Sequence, residues 1–179
     1  MIYMFFANGF EEVEAIATLD VIRRAGIEIK SVGVDSKQIT GSHGITVTCD
    51  ETTTSVSFDN LEGIILPGGM PGTTNLMEDK TVNKFIDYCT ENNLYLCAIC
   101  AAPMIFGRKG LLNGKEAICF PGFEDELSGA IISEKFVCKS GKIITAKGMG
   151  SAVKFGLEIV AAFKGEDAAA KLAETLQIS

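Results

Sequence analysis

Leu94-Tyr95-Leu96-Cys97-Ala98-Ile99-Cys100-Ala101-Ala102-Pro103 is an apolar run of strand length that passes directly into a helix start. Ala101-Ala102-Pro103-Met104-Ile105-Phe106 can open that helix, because the N–H that proline lacks has no partner in a first turn anyway. Cys100 then stands at the corner, at the carboxyl end of a buried strand and beside the unpaired N–H groups of a helix N-terminus. Those groups favour negative charge, so the corner predicts a lowered thiol pKa and an exposed thiolate. Strand-to-helix elbows commonly carry nucleophiles. The alternative is a buried Cys serving as a small hydrophobe. The small residues Ala98, Ala101 and Ala102 leave room for the tight turn.

Around this stretch, strand and helix signals alternate. Strands are expected at Ile2–Phe6, Ile27–Val34, Gly63–Leu66, Glu116–Cys119 and Lys142–Ala146, with a hairpin-like excursion over Gln38–Asp50. Helices are expected at Glu11–Ala25, stopped by Gly26, at Thr81–Asn92, from a Ser151 cap to about Phe163, and at Glu166–Gln177. This alternation predicts an α/β fold, a mostly parallel sheet with helices on both faces, as one domain over 1–179. Ligands of such folds bind beyond the carboxyl ends of the strands, at a switch in strand order. Ala7-Asn8-Gly9, Pro67-Gly68-Gly69-Met70-Pro71-Gly72 and Cys100-Ala101-Ala102 are the loops that reach this edge.

Composition narrows the function. A net charge of −7 argues against a phosphate-backbone partner, so no nucleic acid is expected. No run approaches the ~18–20 apolar residues of a membrane span, and Met1–Phe6 lacks the basic start of a signal peptide. Six Cys, mostly in apolar runs, suit a reducing cytoplasm rather than a disulfide framework. With one His and no second close Cys pair, no metal site is expected. The glycine turn does not match a dinucleotide or P-loop spacing, so no cofactor is expected either.

Three further candidates accompany Cys100. Glu14 lies in the first turns of a helix that is apolar on several sides. One side of such a helix can cover the sheet while another meets a second subunit. Burial raises a carboxyl pKa, and a protonated Glu14 could donate to the Cys100 thiolate. Glu11 and Glu12 are expected only to complement the helix dipole. Pro67-Gly68-Gly69 offers bare backbone N–H groups past a strand, as an oxyanion hole requires, though a plain tight turn has the same composition. Cys97 and Cys100 share C-x-x-C spacing, but positions three apart in a strand face opposite sides, so Cys97 is expected in the core. Cys119 is either a packing residue or a resolving thiol.

The motifs Asn8-Gly9-Phe10-Glu11-Glu12-Val13-Glu14, Asp20-Val21-Ile22-Arg23-Arg24-Ala25-Gly26, Leu66-Pro67-Gly68-Gly69, Ala98-Ile99-Cys100-Ala101-Ala102-Pro103 and Thr145-Ala146-Lys147-Gly148-Met149-Gly150-Ser151, taken together, resemble the ThiJ/PfpI superfamily. Within it they are most similar to the branch of the parkinsonism-associated protein deglycase and its bacterial relatives. The resemblance runs nearly end to end and in order. It implies a flavodoxin-like sandwich and a homodimer through the first helix. It also implies a nucleophilic, oxidation-sensitive Cys100 with protonated Glu14 as partner, and pocket N–H groups from Gly69 and Ala101. The implied activity is cofactor-free chemistry on small reactive aldehydes or early glycation adducts, of glyoxalase III or deglycase type. An oxidation-sensing stress protein or redox-regulated chaperone using the same Cys100 is the alternative.

Two departures from the superfamily pattern are informative. Ala101 stands where the protease-like branch has a His after the nucleophile, which disfavours a Cys-His protease. Phe120-Pro121 stands where other members have His-Pro, which leaves no imidazole within the chain's own pocket. By resemblance the excursion carrying His43 approaches the partner's pocket, so His43 is expected either to act in trans or to be a surface hairpin residue.

Overall fold

A computed structural model describes residues 1–178. In chain order its elements are β1 (Ile2–Phe6), α1 (Glu12–Arg24), β2 (Ile29–Gly33), β3 (Gln38–Thr40), β4 (Thr46–Thr48), β5 (Glu51–Thr52) and β6 (Gly63–Leu66). These are followed by α2 (Gly72–Glu78), α3 (Lys80–Glu91), β7 (Tyr95–Ile99), α4 (Pro103–Arg108), β8 (Glu116–Ala117) and β9 (Ile131–Ile132). The chain closes with β10 (Val137–Ser140), β11 (Ile143–Ala146), α5 (Ala152–Lys164) and α6 (Glu166–Thr175).

Seven strands form one sheet in the order β10-β11-β7-β6-β1-β2-β5. Every neighbouring pair is parallel except β10 on β11. Side chains alternate between two apolar layers. Tyr3 and Phe5 of β1 join Phe85 and Ile86 of α3, whereas Ile2, Met4 and Phe6 join Val21 and Ile22 of α1 and Phe155 of α5. β7 repeats the pattern, with Leu96 and Ala98 on the first side and Cys97 and Ile99 on the second. Burial on both faces is why these strands read as continuous apolar runs. Each fully buried Phe or Ile contributes about 1.5–3 kcal/mol. The result is the flavodoxin-like α/β sandwich expected from the sequence.

α1 lies close along α5: a Cβ at Gly156 would come within 2.9 Å of the Val21 side chain. The opposite flank of α1 is open, with Val13 47% and Ile16 41% exposed. Ile45, in the turn between β3 and β4, is exposed as well. β3 and β4 pair antiparallel, which is the expected hairpin.

Several local expectations differ. Glu116–Cys119 contributes only the two residues of β8, which pair with β9 in a small separate sheet. The edge strand β10 and helix α2 lack a decisive pattern, being short and half polar. Ser151 does sit before α5, but its hydroxyl donates to the Gly148 carbonyl (2.7 Å) and caps a 3₁₀ turn at Met149–Ser151 instead. No helix among the described residues is long and apolar enough to cross a membrane.

Candidate active site

The chain leaves β1 for β2 on one side and reaches β6 on the other, so the strand order reverses at β1. The three carboxyl-end loops meet there. The Glu11 N–H donates to the Gly68 carbonyl (2.9 Å), and the Gly72 N–H to the Gly9 carbonyl (3.1 Å).

Cys100 ends β7 with a φ of +65°. Left-handed backbone at a non-glycine residue costs about 1–3 kcal/mol and persists only where its surroundings impose it. Here the Cys100 N–H donates to Ala146 (2.9 Å), and its carbonyl accepts from the Phe120 N–H (2.8 Å). These bonds hold the elbow between β11 and the loop after β8. α4 then begins with Pro103 in its first turn, as the sequence predicts. Cys100 is half-buried, whereas the other five cysteines are buried.

Glu14 comes from the first turn of α1, whose start is capped by the Glu11 side chain accepting the Glu14 N–H (2.7 Å). The Glu14 side chain is sealed in, with 1% of the residue exposed. It accepts from the Gly68 N–H at 3.0 Å, and the Cys100 thiol and the Met149 N–H approach it closely enough to act on its pKa. Burial, aided by the negative charge of Glu11, pushes its pKa up to about 7 against these neighbours. Gly68 is needed for this contact: a Cβ there would lie 2.7 Å from Glu14 Oε2 and 3.0 Å from Cys100 Sγ.

The Cys100 thiol does not follow the expectation drawn from the helix start. Burial, and after it the Glu14 carboxylate, push its pKa up to about 12, although the N–H groups of Gly69 and Ala101 at the sulfur act to lower it. Two N–H dipoles cannot offset both desolvation and an adjacent negative charge. The two groups therefore act as one acid: the pair sheds its first proton near pH 7, and then keeps a single proton well into the alkaline range. A proton on Glu14 removes the carboxylate's repulsion and adds a third donor to the sulfur.

Cys97 is 1% exposed. Cys97 lies in the core as expected, while Cys100 sits just past the end of β7 and packs against the same apolar layer. Both are free thiols. Cys119 is packed in the other layer, which favours its packing role.

Glu12 does more than complement a dipole. It is 3% exposed and accepts from the His43 N–H (2.7 Å), the Ile45 N–H (3.4 Å) and the Ser42 hydroxyl (3.4 Å), with its other contact to His43 Nδ1 at 2.9 Å. Burial acts to raise its pKa, but these hydrogen bonds prevail and hold it at about 2. The carboxylate thus fastens the β3–β4 turn to α1. His43 is exposed, and Glu12 raises its pKa. Glu11, Glu12 and His43 each bring a potential metal-ligand atom within 4.8 Å of the others. Both carboxylates are already engaged by backbone N–H groups.

Because the folded-state pKa of Glu12 is depressed, its stabilising effect is complete above about 4.5 and fades as pH falls toward 2. Glu12→Ala should destabilise by about 1–3 kcal/mol at pH 7, since it leaves N–H donors unpaired. Urea unfolding should show a much smaller difference between the two proteins at pH 2.5.

A cysteine in left-handed backbone at a strand-to-helix elbow, set against a buried carboxyl at the switch point of a mostly parallel sheet, marks an α/β protein of flavodoxin-like architecture. Residues 1–162 match the model of the DJ-1/PfpI family, and the chain belongs to that family. It is 32% identical over 173 residues to Protein DJ-1 homolog B of Arabidopsis thaliana, covering 95% of this chain but only 40% of that protein. With Protein dj-1beta of Drosophila melanogaster it shares 29% identity over 176 residues, 97% of this chain and 94% of the relative. The solved structure of oxidized Toxoplasma gondii DJ-1 superposes with a TM-score of 0.95 at 29% identity, covering 99% of this chain and 98% of the other.

The sequence pointed to Cys100, Glu14, Gly69 and Ala101, and the structure gathers these four at one place. It sets His43 on Glu12 instead. The roles of the Gly68 and Met149 N–H groups beside Glu14 were missed; Gly68 stood in the glycine turn and Met149 in the Thr145–Ser151 motif, but neither pattern shows which backbone groups face a carboxyl.

Proposed function

We propose that the protein is a cofactor-free cysteine enzyme acting on small reactive aldehydes or early glycation adducts, converting methylglyoxal to lactate or reversing an early adduct with return of the free amine or thiol. The observation that carries this reading is the juxtaposition of Cys100 and the buried Glu14 across Gly68, with the Gly69 and Ala101 N–H groups acting on the sulfur. As the sulfur attacks, a C–S bond forms and the carbonyl pair moves to oxygen. The thiol proton passes by way of Glu14 to that oxygen, giving a hemithioacetal. The N–H groups of Gly69 and Ala101 hold the developing negative charge. Glu14 then takes the proton from C1 and returns it to C2, while the proton on the C1 hydroxyl passes to the C2 oxygen, which leaves a thioester. Water cleaves the C–S bond, releasing lactate and restoring the thiol. Oxidation at C1 is balanced by reduction at C2, so no outside oxidant is required. Lactate production by the wild type and by Cys100→Ser tests the reading; equal rates would exclude it.

The working unit in this proposal is a homodimer. Val13, Ile16 and Ile45 form its apolar contact, because Glu12 clamps the turn carrying Ile45 beside the open flank of α1. His43 on that turn would contribute to the partner's pocket, a role that His43→Ala with unchanged turnover would rule out.

One observation favours a second reading, an oxidation sensor or redox-regulated chaperone. Cys100 alone among the six thiols is partly accessible, and the similar Toxoplasma protein is described as oxidized. Donors around Cys100 would bind the oxygens of a sulfenic or sulfinic acid. Mild peroxide should then add oxygen selectively at Cys100 by mass spectrometry; uniform modification of all six thiols would count against the sensor.

A further inference from the structure

Beside the catalytic pair lies an open cavity of about 340 Å³, lined by Phe120, Pro121, Phe136, Lys147, Met149 and the backbone of residues 148–151. Its walls are almost wholly apolar. Phe120, Phe136 and Met149 are 47%, 61% and 55% exposed, which is unusual for three large apolar side chains grouped at one cavity. The one cation at its edge, Lys147, has its ammonium 5.7 Å from the centre of the Phe136 ring.

Gly148 joins this cavity to the reacting groups. A Cβ there would lie 3.2 Å from the Phe120 ring and 3.9 Å from Glu14 Oε1. The Met149 N–H lies close enough to Glu14 to act on its pKa, and Met149 also lines the cavity. An aldehyde carbon at Cys100 would therefore have its far substituent directed along Gly148 toward Phe120 and Met149. A methyl group cannot fill this space, and a neutral polar chain would find almost no polar partner on these walls beyond Lys147 at the edge.

We propose that this cavity is a substituent-binding subsite and that the preferred substrates are 2-oxoaldehydes carrying an aromatic or branched aliphatic group. The assignment rests on the aldehyde-processing reading above. Phe120, Phe136 and the flexible Met149 thioether supply an adaptable apolar surface for such a group. Placing its burial next to the reacting carbon ties substituent recognition to the transition state, so it should appear in kcat/KM.

Two measurements on the full-length protein test this. The first compares kcat/KM for phenylglyoxal and methylglyoxal. The wild type should favour phenylglyoxal by about tenfold or more, and Phe136→Ser together with Met149→Ser should erase most of that preference. The second needs no turnover: with ¹³C-methyl methionine, the Met149 methyl resonance should move on titration with unreactive acetophenone and stay in place with acetone at equal concentration. No turnover of either aldehyde with the Met149 shift present would overturn the enzymatic reading and leave the subsite standing. Turnover without preference and without the shift would overturn the subsite and leave the enzyme. If a second copy of the chain fills the cavity, the double variant would alter the sedimentation coefficient and acetophenone would leave Met149 unmoved, which also overturns it.

Discussion

Cys100→Ser is expected to lower lactate formation from methylglyoxal by about 10³-fold or more. A serine hydroxyl at this elbow keeps the geometry but is far harder to ionise than a thiol, and Glu14 is the one acid–base group acting on it. The backbone N–H groups of Gly69 and Ala101 stay in place, so substrate binding should suffer much less than turnover. The fall should therefore lie in kcat, with KM changed only a few-fold. Stopped-flow absorbance should also show no thioester. A wild-type rate in this variant would mean that the chemistry occurs elsewhere or that the aldehyde is merely scavenged in solution.

Glu14→Gln is the second large effect, a loss of about 10²–10⁴ in kcat. The amide matches the carboxyl in shape and can hydrogen-bond to the sulfur, but it cannot carry a proton between carbons. Its diagnostic is the pH profile. In the wild type, kcat/KM should rise through pH 7, where the Cys100–Glu14 pair loses its first proton. Below that pH both groups are protonated and neither thiolate nor carboxylate is available to begin the attack. In the variant that inflection should vanish, leaving only the ionisation of a thiol that burial has raised. Thiolate absorbance followed over the same range measures how the single proton is divided between sulfur and oxygen. An unchanged inflection in Glu14→Gln would assign the titration to another group.

Strands buried on both faces, such as Gly63–Leu66 and Tyr95–Ile99, are continuous apolar runs and were legible almost to the residue. The elbow at Cys100 was legible because a strand run meets a proline-opened helix. Electrostatics was not legible to the same degree. Proximity to a helix start argued for a more acidic thiol, but Glu14 approaches across 86 residues of sequence, and its charge outweighs the N–H dipoles. Glu12 shows the same limit. Two positions from Glu14, it looks like one more acidic residue of a first turn. Only the fold brings the turn around His43 over it and converts it into a fastener. The exposed cavity wall follows this rule too, since Phe120, Phe136 and Met149 are scattered in sequence and meet only through the loops after β8 and around β10 and β11.

The backbone at position 100 is wound in the sense that suits glycine. A chain optimised for toughness alone would place glycine there, relaxing the bend and discarding the sulfur. In the proposed reaction, thermal endurance and turnover are thus opponents at this one position, and engineering the protein for heat resistance should begin far from the elbow, where firmness can be gained without removing the thiol.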